Sequence, residues 1–336
     1  MNPPTTATPT TPFDAAALLR AAPLLAALLL LAVFPAVGSK FYVDLAAKIM
    51  ILAIFALSLE LLVGQTGLVS FGHAAFFGIA AYAAALLTPK SEAASLWLVL
   101  PASIGAAAAY ALAVGALSLR TRGVYFIMIT LAFAQMAYYV LHDTPIGGGS
   151  DGIYLYFRPD ASVLGWRPFD LDAGRTFYYA VLACLAGTFG ALAVLLRSRY
   201  GRALAGIRVN EQRMRAAGFP TYAYKLGAFV LAAAFAGLAG FLYALKDGYV
   251  NPEILSWHQS GAVLLMVILG GIGHLRGAIL GAFAFTILQE LFQWQAIFGG
   301  FAKHWQLMLG LTIIGFVAAM PRGLIGLADR LRRGRG

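Results

Sequence analysis

The sequence has almost no cysteine. Its one thiol, Cys184, lies in an apolar run, which excludes a disulfide framework and a cysteine-based metal site. Charge is also scarce: only 11% of the 336 residues are Asp, Glu, Lys or Arg. Soluble domains carry about 25%, so the composition argues against a soluble fold. Acids are scarcer than bases, 14 against 24, for a net charge of +10. That excess sits in short loops beside apolar runs, the positive-inside distribution of a membrane protein. A nucleic-acid partner is therefore not expected. The chain also lacks a GxxxxGK[ST] phosphate loop, so ATP chemistry would have to reside on another polypeptide. No cofactor is expected, and no spacing of His, Asp or Glu specifies a metal site.

What is present is apolar sequence, 61% of the chain, in long runs. Membrane barrels use strands of about 10 residues with dyad alternation, and these runs neither alternate nor stop so soon. At about 20 residues per span, the expected fold is an all-α polytopic membrane protein of about eight to ten helices. The segments read as Leu18–Val37, Asp44–Val63, Leu68–Leu87, Leu96–Leu119, Val124–Leu141, Phe177–Leu196, Lys225–Leu245, Ser260–Leu269, Ala278–Phe298 and Trp305–Met320. The first segment imitates a signal peptide, with Arg20 and the small-residue site Ala36-Val37-Gly38. Its apolar run is longer than a signal core, and a span fits better. Before it, the Pro/Thr-rich stretch 1–17 reads as a disordered tail. The membrane domain is 18–320, with a cytoplasmic loop at 197–224, and 321–336 reads as a basic cytoplasmic tail.

An N-terminus in the cytoplasm places the even-numbered connections and the C-terminus inside. These hold Arg120, Arg122, the Arg197–Tyr224 loop, Arg276 and the tail arginines from Arg322 to Arg335. The odd connections include His142–Thr176, with five Asp and three Arg, and Asp247–Gln259, with two acids. Every Arg-rich piece then falls on one side.

Two segments are irregular. The second and third are separated only by Gly64-Gln65-Thr66-Gly67. The eighth is expected to be a 10-residue helix ending at the glycine-rich run Gly270–Gly277. Such a helix spans about 15 Å, half the hydrocarbon core, so it must be tilted, re-entrant or broken. Backbone of that kind is tolerated at membrane depth only inside protein or along a cavity. One such element in each half points to a transport pathway. The small residues Gly64, Gly67, Gly72, Ala74, Ala75, Gly78, Ala80 and Ala81 also let helices pack closely.

Polar residues in the spans are few. Glu60 must face protein or water, because a charge near the bilayer centre costs about 2.5–3.5 kcal/mol on insertion scales. It could meet a substrate ammonium or a gating partner, or simply hydrogen-bond to the next helix. His73 reads more readily as a satisfied packing group than as a ligand. Gln135, Gln289 and Glu290 could line the interior. Ser70 and His73, three apart, could meet on one helix face, which leaves an intramembrane enzyme open. A secondary transporter working alone is another alternative, but it would need coupling charges at the midplane. The loop Arg197–Tyr224 carries six arginines and one acid, Glu211. Within it, Gly201–Ala217 has helix-forming composition, and Gly218-Phe219-Pro220 stop it. By composition alone it could be a basic helix that only fixes topology.

Four motifs, in order over Leu59–Ala282, carry a resemblance: GQTGLVSFGHAAFFGIAAY; GRALAGIRVNEQRMRAAGF; AFVLAAAFAGLAGFLYAL; and, after Pro252, LLMVILGGIGHLRGAILGA. The chain closely resembles the permeases of branched-chain amino acid ABC transporters, the LivH/LivM family. GGGSDGI at Gly147–Ile153 looks more like the LivM type. Arg276 departs from the pattern, where a small or polar residue is expected, and bears on local gate geometry. The resemblance implies an importer subunit paired with a LivH-like permease. Two cytoplasmic ATPase subunits of LivG and LivF type would power it, and a periplasmic binding protein would deliver substrate. It implies coupling positions at Gly206, Arg208, Asn210, Glu211 and Gly218. Pathway lining is expected at Gln65, Ser70, His73, Gly270 and Gly271. Substrate stays open between branched-chain amino acids and urea, short amides or small organic and aromatic acids.

Overall fold

The computed structural model describes residues 15–162, 170–320 and 322–326, with only the backbone for 15–25. In hydrocarbon each backbone N–H and C=O must be satisfied within its own segment, so long apolar runs fold as helices. They are α1 (Ala15–Val37), α2 (Lys40–Thr66), α3 (His73–Leu87), α4 (Leu96–Ser118), α5 (Val124–Asp143), α6 (Gly174–Arg197), α7 (Arg199–Val209), α8 (Glu211–Ala216), α9 (Thr221–Asp247), α10 (Trp257–Gly270), α11 (Leu275–Gln293), α12 (Gln295–Phe298) and α13 (Trp305–Ala319). Among the described residues, seven stretches are long and apolar enough to cross a membrane: α2, α4, α5, α6, α9, α11 and Gln295–Ala319. Three shorter apolar helices join them, Ala26–Val37 of α1, α3 and α10. The all-α polytopic class is as expected. Of the expected tails, 1–14 and 327–336 lie outside the described residues.

α2 is apolar on every face, which marks a helix surrounded by protein. Each residue from Ile49 to Gly64 is buried. α9 packs on α2, α3 and α4, and α11 packs on both α2 and α10. Small residues make these approaches possible. Gly240 in α9 lies against the Phe77 carbonyl of α3, and Gly237 beside Ala80 and Ala107. Gly281 in α11 meets the Met266 carbonyl of α10, and Gly270 meets Gly277.

Four expected segments are corrected. α2 runs on through Gly64 and Gln65 to Thr66, and the non-helical stretch is 67–72. Gly64 stays helical; Gly67, at φ +73°, ends the helix. α3 therefore starts at His73, not Leu68. α10 has 14 residues rather than 10, because Ser256 and the short helical turn Pro252–Leu255 lead directly into it. It still reaches only about 21 Å. α11 ends at Gln293, where Trp294 leaves helical geometry.

The connections expected on one side do meet. β1 (Ile153–Tyr154) pairs antiparallel with β2 (Tyr249–Val250), joining the loop after α5 to the loop after α9. At the opposite end, Tyr222 of α9 donates to the Ala116 carbonyl of α4 at 2.9 Å.

Gly240→Val should force α9 off α3, because no flexible side chain is there to yield. The expected loss is about 1–3 kcal/mol, read as a lowered thermal unfolding midpoint in detergent. Gly187→Val, at a site with open space around it, should leave the midpoint within a degree or two.

Candidate functional site

The site is built on the two helix breaks. At the first, Gly67 turns the chain out of α2, and Thr66 Oγ1 donates back to the Leu62 carbonyl at 2.7 Å. The chain then runs through Ser70, whose buried Oγ accepts from Gly72 N at 3.3 Å. Gly72 lies against the Thr130 carbonyl of α5, where no side chain fits. The opening N–H groups of a helix have no partner within the helix. In α3, Ala74 N finds one on another element, donating to Ser260 Oγ of α10 at 3.0 Å. His73 is fully buried. Its Nε2 lies 2.8 Å from Ser58 Oγ, and its ring stacks on Phe55. The serine beside His73 is thus Ser58 of α2.

At the second break α10 ends at Gly270, and Gly271 and Gly273 take φ of +110° and +93°. Side chains at those angles would be strained. Gly270 and Gly271 are both buried. Gly273 N donates to Glu60 Oε1 at 2.7 Å. Glu60 is fully buried on α2, so it ties the α10–α11 turn to the last turns of α2. Its carboxylate lies over Gly64, which explains why that position has no Cβ. Of the readings open for Glu60, the structure shows the hydrogen bond to a neighbouring element.

The Arg-rich loop closes this arrangement from outside the bundle. Arg208 Nη1 donates to the Gly64 carbonyl. Its stem passes Gly67 and its guanidinium passes Gly273. One side chain therefore reaches both breaks. The single helix expected over Gly201–Ala217 is corrected to two, α7 and α8. Asn210 separates them with extended geometry (φ −157°, ψ 97°), and its side chain caps α8 by accepting from Arg213 N at 2.9 Å. Asn at that point offers the backbone an alternative to a continued helix. Gly206 packs on the Met214 thioether, which folds α8 back on α7. Gly218, at φ +85°, follows α8.

Glu211 is held inside the loop. Its Oε1 pairs with Lys225 Nζ of α9 at 2.8 Å and Arg215 Nη2 at 2.5 Å, and accepts from Thr221 Oγ1 at 3.1 Å. Partial burial opposes its ionisation, but the Lys225, Arg215 and Thr221 partners outweigh that and hold its pKa down to about 2. Lys225 is itself buried. What the loop offers outward is Val209, 87% exposed, with Phe219, Arg202 and Arg213.

Of the remaining residues only Gln65 adjoins this node. Gln65 is half-buried on the last turn of α2. Gln135 is half-buried in α5, its Oε1 without a partner among the described residues. Gln289 is half-buried on α11, and Glu290 beside it pairs with Lys48 of α2 at 3.0 Å. Among the described residues no group of three His, Cys, Asp or Glu could hold a metal ion. Sequence reasoning missed Lys48, Ser58, Thr221, Lys225 and Ser260. No local pattern marks them: Ser260 lies 186 positions from Ala74, and Lys48 lies 242 from Glu290.

The model of one protein family, "Branched-chain amino acid transport system / permease component", matches residues 41–317. The "High-affinity branched-chain amino acid transport system permease protein LivM" of Escherichia coli (strain K12) is 34% identical over 321 residues, 90% of this chain and 74% of that protein. Its namesake in Salmonella typhimurium is 33% identical with the same coverage. The "Autoinducer 2 import system permease protein LsrC" of Yersinia enterocolitica is 32% identical over 107 residues, 30% of each chain. No solved structure matches.

Because its pKa is lowered, ionised Glu211 contributes stability that is complete above its ordinary value of 4.5 and lost as pH falls towards about 2. Amide exchange over α8, corrected for intrinsic rate, should therefore quicken across that window and stay flat from pH 6 to 8. Glu211→Gln should remove the pH step and speed tryptic cleavage after Arg213 and Arg215 several-fold at pH 7.5.

Proposed function

The chain belongs to the branched-chain amino acid transport permease family, and we propose that it is the LivM-type membrane subunit of an ATP-driven importer of branched-chain amino acids. It is a multi-pass inner-membrane protein. In this reading the N-terminus and the 197–224 loop face the cytoplasm. The subunit pairs with a LivH-like permease, works with two ATPases of LivG and LivF type, and takes substrate from a periplasmic binding protein.

The observation that carries the mechanism is the reach of Arg208 from the Arg-rich loop to both helix breaks. An ATPase seated on Val209, Phe219 and the outward arginines moves α7 and α8 as one piece, because Gly206 and Met214 lock them together. Two linkages carry that motion into the membrane. Glu211 and Lys225 pull on α9, which packs against α2, α3 and α4. Arg208 pulls on the last turn of α2, and Glu60 relays the pull to the α10–α11 turn. Gly218 leaves the loop free to turn into α9.

The breaks form the gate in this reading. Gln65, Gly270 and Gly271 present backbone and one amide at its rim. Ser70 and His73 hold the re-entrant backbone in place behind them. A pathway of this kind binds weakly, since it must release what it admits. Selectivity then rests with the delivering protein.

Reconstituted with its partners in proteoliposomes, the wild type should take up leucine, isoleucine and valine only with ATP. Arg208→Ala and Glu211→Arg should each cut uptake at least tenfold while ATP hydrolysis and co-purification of the four subunits persist. Undiminished uptake in both would overturn the coupling assignment. Ser70→Trp and Gly271→Ala test the gate, and unaffected uptake in both removes those residues from it. Calorimetry on the purified binding protein decides substrate: heat with leucine and none with urea, acetamide or benzoate is expected.

A further inference from the structure

Glu60 is fully buried on α2, yet its two oxygens are treated differently. Oε1 accepts from Gly273 N at 2.7 Å, and the His274 amide is directed at the same carboxylate. Oε2 is buried and has no hydrogen-bond partner among the described residues. A buried acceptor left bare costs its full desolvation penalty, and more when the group is charged. Holding the α10–α11 turn uses Oε1 and leaves Oε2 unexplained.

Arg208 shows the complementary excess. Its planar guanidinium carries several N–H donors in a fork that matches a carboxylate. Here Nη1 donates to a neutral acceptor, the Gly64 carbonyl. The guanidinium also lies within electrostatic range of Glu60. The two acceptors are close together. Glu60 stands one helical turn before Gly64, and a Cβ on Gly64 would fall 2.8 Å from Oε2. The carbonyl that holds Arg208 and the oxygen that lacks a donor therefore belong to one turn of α2. From the other side, a Cβ on Gly273 would lie 3.8 Å from Nη1. The guanidinium already sits between the end of α2 and the α10–α11 turn.

We propose that Arg208 exchanges acceptors during transport, from the Gly64 carbonyl to Glu60 Oε2, so that a buried Arg208–Glu60 ion pair forms in the alternate state of the gate. The inference rests on the coupling reading of Arg208 and adds its second state. One donor serves two acceptors in turn, which gives a discrete two-position element rather than a continuous pull. Glu60 is then a positioning residue whose charge is needed, beyond its hydrogen bond to Gly273.

The test uses the intact importer complex in proteoliposomes. Glu60→Gln keeps an acceptor for Gly273 N and removes the charge. Uptake should fall at least tenfold, with ATP hydrolysis, subunit co-purification and the unfolding midpoint retained. Arg208→Gln should do the same, and Glu60→Gln with Arg208→Gln should match either single variant within twofold. Uptake by Glu60→Gln within twofold of wild type overturns the exchange. So do losses that multiply in the double variant, because the residues then act separately. Wild-type complex in nanodiscs, imaged nucleotide-free and trapped with ADP and vanadate, supplies a measurement without substitutions. Arg208 should lie on the Gly64 carbonyl in one state and on Glu60 Oε2 in the other. Arg208 on the carbonyl in both states, with water or nothing on Oε2, overturns the proposal. If Arg208→Ala cuts uptake while Glu60→Gln does not, the exchange falls and the coupling reading stands. Undiminished uptake in both Arg208→Ala and Glu211→Arg removes the coupling reading and the exchange with it.

Discussion

A backbone amide that leaves its helix inside hydrocarbon must find a partner in protein. At the two breaks, 67–72 and 271–274, the chain leaves helical geometry, and the structure depends on how those departures are satisfied. The start of α3 takes its acceptor from Ser260 of α10. The α10–α11 turn takes its acceptor from Glu60 of α2. The carbonyl at the end of α2 takes its donor from Arg208 of α7. Each break is completed by another element, so neither can move alone. In the proposed coupling, that mutual dependence is what lets the Arg-rich loop act on both breaks together.

Close packing is the second half of the same constraint. Lipid tails are as apolar as leucine, so helices associate through fit rather than through water release. Gly240 on Phe77 and Gly281 on Met266 bring backbones together where any side chain would hold them apart. Around this rigid core the Arg-rich loop reaches the bundle through two charged linkages, Arg208 to α2 and Glu211 to Lys225. Charge is rare in the chain, and two of its ion pairs, Glu211–Lys225 and Lys48–Glu290, join different helices. The Lys48–Glu290 pair is the instance remote from the loop.

Much of the architecture was legible. Ten apolar runs match ten apolar helical segments among the described residues, and Gly67 and Gly271 stop helices as glycines with positive φ do. Gly64 misleads: it sits mid-helix because the Glu60 carboxylate occupies the space of its Cβ. A missing side chain looks the same in sequence whether it serves a turn or a neighbour. Family likeness singles out Asn210, yet its work is to cap α8 and divide the loop in two. Glu211 stands out as the lone acid among arginines, but its partner Lys225 does not, because nothing in a sequence says which lysine will fold back.

The sequence by itself determined what periodicity and local chemistry control: the membrane class, the order of the helices, the basic loop and the glycines that permit breaks. These depend on transfer free energy and backbone sterics, which act residue by residue. The tertiary structure alone decided which groups meet. Glu60 with Gly273, Arg208 with Gly64, Ser58 with His73 and Lys48 with Glu290 are pairings across helices. Only the packed arrangement sets those distances, because closing them requires the whole bundle to be in register.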